Sequence, residues 1–586
     1  MGLSDRFLNK KALTFLIFAL ILIYGYLIST FNNIPSAIYG GDLYYHFGMF
    51  NHYYFGGELL SSPVTKEGFI FYSLFPYFFA KIAHLTGVSS KMAFKFLPLI
   101  EILTSALASF LLGKQLFKNN KFYQFLFVLS WVGIFHSFLF THPRIFAGST
   151  LLPLLVWSFL RLQRDGRILN QVFFGVIYGL TGLTHLFGFI VVSLFLVIFY
   201  LYRFWVVENK VQFLKQAGKN LILPAVLTIL ISLPLLGTIL FYYDLQTLNP
   251  VTSYSTPKPD IYYFFKQIFH LFVNRGSLFN FLFIPLSILG IYYFIFKNNR
   301  ESKIRSVMFA LLTSFFFGSF HYLVTQPLFN YYWVYWQFPF YLTYIISLIL
   351  VFYGILFLKK KISRDNYRKL KLVIFVAILL SIPVNILFSY QGFHNLLLGK
   401  NLGGYKSQWI TSAKKSEPVK HSRVSKWLKN NSKVTDVVLS NNEISFAINA
   451  LTGRKIVISR RTHFSPFMDL NERAADAAVM FYGKDKQKIK GLLDKYDVKY
   501  FYYHPDWEET SNMDPILLPL RYRDYLDQNG VDFKEVQSKL DPAKADVPKY
   551  DRLKVTPKNN FRKNPLLDFF VSELSTEDGA VLYKRK

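Results

Sequence analysis

Long apolar stretches recur through the first 390 residues of this chain and are missing from the rest. Beginning with residues 13–29, each is long enough to cross a hydrocarbon core of ~30 Å. A composition of 52% hydrophobic residues with 64 Phe is also too apolar and aromatic for a soluble enzyme of this size. The chain therefore divides into a membrane part, 1–390, and a non-membrane part, 391–586.

Charge sets the orientation. Residues 1–390 hold 32 Lys+Arg against 11 Asp+Glu, and residues 391–586 hold 34 against 24. Most of the basic excess in the membrane part sits in short loops between apolar segments, where it directs topology rather than nucleic-acid binding. With Arg6, Lys10 and Lys11 inside, the first helix (about 13–30) runs outward and a long outer loop follows, residues 31–90. A second helix (about 92–113) returns to Lys114, Lys118 and Lys121, a third exits at Thr141-His142-Pro143-Arg144, and a fourth re-enters at Arg161, Arg164 and Arg167. Residues 172–202 must then hold two short helices turning near His185. Five more, ending with about 372–390, bring the total to about eleven. This assignment puts 24 of the 32 basic residues in cytoplasmic loops. It predicts a multi-pass cell-membrane protein with a cytoplasmic N-terminus and an extracytoplasmic C-terminal domain. The apolar stretch after Lys11 lacks a small-residue cleavage site before Asn32-Asn33 and reads as an uncleaved first helix. The chain has no Cys, which removes disulfide and thiolate chemistry.

The tail reads as a small α/β domain. A short amphipathic stretch (425–429), strands at 437–440 and 497–503, and a Lys-rich helix between them (485–495) alternate in that manner. Residues 529–564, rich in Lys, Asp and Pro, read as a loop-rich extension.

Carboxylates are costly inside a membrane, so those of the membrane part can be sorted by elimination. Asp5, Asp165, Glu208, Glu301 and Asp365 fall in cytoplasmic loops. Glu101 lies within the second helix, protonated or paired with Lys95 or Lys114. Asp244 and Asp260 flank the second outer loop. Asp42 stands just after the first helix, in Tyr39-Gly40-Gly41-Asp42-Leu43-Tyr44-Tyr45-His46, where the glycines allow a close turn into a helical segment. On a helix Asp42 and His46 share a face. Two readings stand there: a general base at the membrane surface with its imidazole neighbour, or the cap of an interfacial helix. Arg144 and His142, at the outer end of the third helix, suit a phosphate or anionic lipid headgroups. The aromatic, interrupted stretch 44–83 reads as short helices along the interface and not as a transmembrane hairpin.

The Gly-Gly-Asp-Leu-Tyr-Tyr-His segment opening a long first outer loop, about eleven helices and a C-terminal outer domain resemble the polytopic glycosyltransferases of the GT-C superfamily. The likeness is distant, nearest to oligosaccharyltransferase catalytic subunits and protein mannosyltransferases. It implies a mainly α membrane bundle with a C-terminal α/β domain, and transfer of a sugar from a polyprenyl-phosphate carrier to a glycan, lipid or protein acceptor. The resemblance gives Asp42 the role of catalytic or acceptor-orienting carboxylate. It also brings in Leu451-Thr452-Gly453-Arg454 and the following run, where Arg461 and His463 would help bind acceptor or phosphate, against the commoner reading of such a run as a solvated basic surface. Two departures stand out. Residues 141–150 lack an acid, and no Trp-Trp-Asp occurs, which argues against asparagine-linked transfer of a whole glycan. One Asp and one His are too few ligands for a divalent metal.

In the enzyme reading Asp42 deprotonates an acceptor hydroxyl, which attacks the anomeric carbon while the lipid phosphate leaves against Arg144 or other cations. A transporter or lipid-carrier flippase would want ionisable residues deep in several helices and repeat symmetry. A membrane scaffold is the third reading. Membrane lipids are partners in all three, and nucleic acid in none.

Overall fold

The computed structural model describes residues 10–34, 41–59, 61–66, 74–118, 120–136, 138–244, 265, 268–269, 280–297, 302–329, 337–391, 409–410, 412–415, 420–460, 468–539, 549–558, 561 and 564–586. The chain forms two compact units. One comprises residues 1–32, 95–233 and 259–414, the other 33–94, 234–258 and 415–586.

Among the described residues, eight helices are long and apolar enough to cross a membrane, from Ala12–Ser29 to Arg364–Ile386. Three shorter apolar helices, Lys121–Ile134, Ile168–Thr184 and Leu282–Phe296, accompany them. The break expected near His185 is present. His185 is extended (φ −159°, ψ 108°) between Ile168–Thr184 and Leu186–Val206, so the second helix, at 21 residues, is longer than expected. Close helix contacts are made through small residues: a Cβ on Gly290 or Gly354 would meet the backbone of Leu350 or Leu286 at about 2 Å.

The described part of the first loop contains the helices Gly41–Tyr54 and Leu74–Leu85, of 14 and 12 residues. Neither is long enough to span a bilayer. In the second unit a five-stranded mixed sheet has the order β2-β1-β3-β8-β7, with β1 Val437–Leu439, β2 Lys455–Ile456, β3 Val498–Tyr503, β7 Phe570–Ser575 and β8 Val581–Arg585. β1 pairs in parallel with β2 and β3, and β8 antiparallel with β3 and β7. Its core includes fully buried Phe501 and Trp507, whose indole N–H donates to Tyr482 Oη at 2.9 Å.

Two strands run through the described residues of the segment expected to be a loop-rich extension, 529–564. β5 Phe533–Lys539 and β6 Lys549–Val555 pair antiparallel, and β4 Leu517–Pro519 completes a second sheet of three strands. In β6 the buried residues are Leu553 and Val555, while β5 carries exposed Lys534, Glu535 and Gln537. A strand this solvated has the composition of a loop, and only its backbone pairing reveals it.

Candidate functional sites

Asp42 lies in the first turn of Gly41–Tyr54, which begins on Gly41 at φ +53°, a conformation that disfavours any residue with a Cβ. The helix is locked to the α/β fold along one face. Tyr44 packs on Phe446, Gly48 abuts Asn449 and Ala450, Asn51 Nδ2 donates to Ala450 O (2.7 Å), and His52 Nδ1 donates to Gly453 O (2.7 Å). By the 3.6-residue period, positions 42 and 46 fall on the opposite side of the helix. His46 is buried, its ring edge-on to Tyr45. Beyond the helix, Val64 adds a parallel bridge to Ile456 at the β2 edge, and Thr65 O accepts from Arg473 Nη1 at 2.6 Å.

The 451–454 segment, expected from the resemblance to matter, is the dock for this helix. Gly453 adopts φ +70°, and a Cβ there would lie 2.4 Å from the backbone N of His52. Arg454, 2% exposed, spends its guanidinium on Thr452 O and on the carbonyls of Leu428, Lys429 and Ser432, which end the helix Ser422–Asn431. A cation at a helix C-terminus complements its dipole. Arg460 pairs with buried Glu443 through two contacts of 2.5 Å and stacks over Phe446. Arg461 and His463 lie outside the described residues. Asp244 is exposed at φ +48° and belongs to the same unit as Asp42.

Since Gly453 O can only accept, the His52 proton sits on Nδ1, and Nε2 lies 2.7 Å from Ser61 Oγ, whose one proton also has Glu58 O within reach at 2.8 Å. Burial, with Lys455, Arg454 and Lys81 nearby, lowers the His52 pKa to about 4. His421, on a left-handed residue (φ +68°), bonds Tyr502 Oη at 2.9 Å and stands edge-on to His504. Burial, His504 and Lys420 lower it to about 3, against the opposing pull of Asp506 and Asp578. Both values lie below 6.5, so between them and 6.5 the unfolded chain binds protons that the folded chain does not. Stability is therefore complete above pH 6.5 and falls below it, by about 1.4 kcal/mol per pH unit for each histidine. Denaturant unfolding of this unit should show a loss of about 2.5 kcal/mol between pH 7 and 5.5. An unchanged midpoint would rule out neutral burial of both rings.

The second cluster belongs to the membrane unit. Glu101, Thr104 and Ser105 occupy one face of Ser90–Leu116 and tie it to the start of Pro143–Asp165. Glu101 Oε1 accepts from Thr141 Oγ1, Thr104 bonds Thr150 (3.1 Å), and Ser105 Oγ donates to Ser149 O (3.0 Å). Thr141 and the backbone N–H of His142, and not Lys95 or Lys114, thus bond the Glu101 carboxyl, while Lys95 Nζ donates to Ser29 O. Ser149 O also accepts from Trp131 Nε1 at 2.9 Å. It can receive side-chain donors because Ala147–Leu151 is a π-helical turn, a distortion frequent at functional positions.

His142 caps Pro143–Asp165, its Nδ1 accepting from the backbone N–H of Arg144 at 3.0 Å. Arg144 stacks on Phe340, 4.2 Å from the ring centroid, and its buried Nε has no hydrogen-bond partner among the described residues. The next residue, Tyr341, bonds His185 Nδ1 at 2.7 Å and lies against Gly148 and Gly188. Sequence reasoning singled out Arg144 and His142 but missed Glu101's bond to Thr141 and the Tyr341–His185 pair. The signal available was the chain break at His185. The carboxylate candidates Asp42 and Asp244 and the basic pair His142 and Arg144 thus belong to different units.

A membrane bundle carrying buried polar seams, joined to a separate sheet-containing unit, is the build of a multi-pass membrane protein. No protein-family model matches the sequence. The chain belongs to the same family as the uncharacterised protein MJ1080 of Methanocaldococcus jannaschii, with 32% identity over 94 residues, 16% of this chain and 70% of that one. In fold it is similar to the oligosaccharyltransferase AglB of Archaeoglobus fulgidus in complex with an inhibitory peptide and a dolichol-phosphate (TM-score 0.49, 13% identity, covering 94% of this chain and 77% of that one). It is also similar to ArnT of Cupriavidus metallidurans bound to undecaprenyl phosphate (0.48, 10%, covering 93% and 98%). A third similar structure is the mycobacterial arabinofuranosyltransferase AftD (0.46, 11%, covering 93% and 40%).

Proposed function

We propose that this protein is a membrane glycosyltransferase that moves a sugar from a polyprenyl-phosphate donor to an acceptor on the non-cytoplasmic face. The observation that carries the reading is the setting of Asp42: the first turn of a short helix, after a left-handed Gly41, on a helix fixed by hydrogen bonds to the α/β fold. A general base needs such rigid placement. Asp42 takes the acceptor proton, with His46 and Asp244 as supporting groups. Arg144 takes the donor phosphate. Its stacked guanidinium, the unpartnered Nε and the helix N-terminus capped by His142 are the chemistry an anion requires. Arg461 and His463 contribute to acceptor or phosphate binding. The basic loops of the membrane part support an orientation with the N-terminus inside.

The test is transfer of radiolabelled sugar from a polyprenyl-phosphate donor, in sealed right-side-out vesicles, to oligosaccharide, peptide and lipid acceptors supplied outside. Transfer without added nucleotide sugar is expected. Label that stays on the donor with every acceptor class would refute the reading. In the same vesicles Arg144→Lys should weaken binding of undecaprenyl phosphate about tenfold, because the charge remains while the planar fork and its stacking are lost. Equal affinity would remove Arg144 from the donor site.

A further inference from the structure

The second unit carries an open groove of about 650 Å³. Its walls come from the helices Leu470–Tyr482 and Lys486–Lys495 and from the turn and short helix after β4, Leu520–Tyr522 and Arg523–Gln528. Asp476, 4% exposed, forms the floor. One of its oxygens accepts from Tyr525 Oη at 2.6 Å, the other from Lys495 Nζ at 2.7 Å and Tyr496 Oη at 2.8 Å. Lys495 also donates to Glu472 at 2.7 Å. The floor is thus tied together by charge-assisted hydrogen bonds.

This network decides what the groove can hold. A tyrosine that donates its proton to a carboxylate keeps its oxygen lone pairs, strengthened as acceptors by polarisation. Tyr525 Oη and Glu472 therefore present acceptors, while the Gln487 amide and the Arg521 guanidinium present donors. The ring carbons of Tyr522 and Tyr525 add apolar surface beside them. A free anion would have to displace Glu472 and Asp476 from Lys495 or Asp469 from Arg521, and a free cation would meet Lys488, Lys495 and Arg521. A neutral ligand dense in hydroxyls, each both donor and acceptor, with a C–H face for the rings, meets neither penalty. The volume lies within the ~300–1,000 Å³ typical of small-molecule sites.

We propose that this groove binds an oligosaccharide, at residues separate from those assigned to sugar transfer. The proposal stands on the groove's own chemistry and holds whether or not Asp42 is a catalytic base.

Saturation-transfer NMR on the full-length protein tests it, in lauryldimethylamine oxide micelles, whose headgroup carries no sugar to compete. The probes are mannotriose, chitotriose and maltotriose at millimolar concentration. Saturation should reach the ring protons of at least one of them. Glu472→Ala combined with Gln487→Ala changes two exposed helix positions, so the unfolding midpoint should hold while binding weakens at least about fivefold through lost hydrogen bonds. Tyr522→Leu should weaken it independently, and Lys490→Ala, outside the groove, should not. Asp42→Asn should bind the same probe as the native chain does, which separates this site from the transfer reading. The proposal is overturned if none of the three probes receives saturation, or if the double variant binds as the native protein does.

Discussion

Replacing Asp42 with Asn is expected to cut sugar transfer by about 10²–10⁴-fold, the usual contribution of a positioned general base. Asn matches the carboxylate in size but cannot accept a proton at neutral pH. The helix should remain in place, because its anchors are the 44, 48, 51 and 52 positions on the other side. The donor affinity should be unchanged, so the loss appears in turnover and not in binding. Asp42→Glu keeps the base on a longer arm and should recover part of the rate. Transfer by the Asn variant within about threefold of native, well inside what a base contributes, would show that Asp42 is only the start of a helix.

Gly453→Val should disrupt the unit that holds Asp42. The position needs φ +70°, costing of order 1–3 kcal/mol for a residue with a Cβ and most for a branched one. The new Cβ would also lie 2.4 Å from the His52 nitrogen and 2.5 Å from the Asn51 carbonyl carbon, which are main-chain atoms that cannot rotate aside. Moving the helix away breaks both the Asn51–Ala450 and His52–Gly453 hydrogen bonds and leaves buried polar groups unpaired. We expect a loss of more than about 3 kcal/mol, seen in thermal unfolding and in new proteolytic cuts around residues 55–62. Gly48→Ala is the informative comparison. Its Cβ meets first the Asn449 side-chain oxygen, at 2.3 Å, and main-chain atoms of Ala450 only at 3.2 Å; moving the amide strains its bond to Arg454 O, but no main-chain clash as close as that at Gly453 arises, so the cost should be smaller. If the two variants unfold alike, the Gly453 contact is not the joint described above.

Much of the membrane part was legible because apolar length and loop charge report directly on single helices. The turn at His185 was found for that reason. In the tail, β1, β3 and the helix Lys486–Lys495 were found within a residue or so, since each buries a regular set of apolar side chains. The polar strands β5 and β6 were not. Nor was the joint between the first loop and the α/β fold. Its carriers, Gly48, Asn51, His52 and Gly453, are small or polar residues some 400 positions apart, and nothing local distinguishes them from an interfacial helix and a turn. Glu101 shows the same limit from the other direction. It was seen to be costly, yet its partner Thr141 could be identified only once two helices were placed side by side.

The discontinuity of the second unit bears on biogenesis. Residues 33–94 leave the ribosome well before their partners, β2 and the helix Asn442–Thr452, and the sheet they join also contains β8 at residues 581–585. Such long separations carry a large closure entropy and slow assembly. During synthesis the aromatic first loop must wait, with its docking face uncovered, while the bundle threads into the bilayer. Insertion factors that shield it in that interval would protect the nascent chain from aggregation. The same delay keeps the Asp42 helix unanchored until synthesis has passed Gly453.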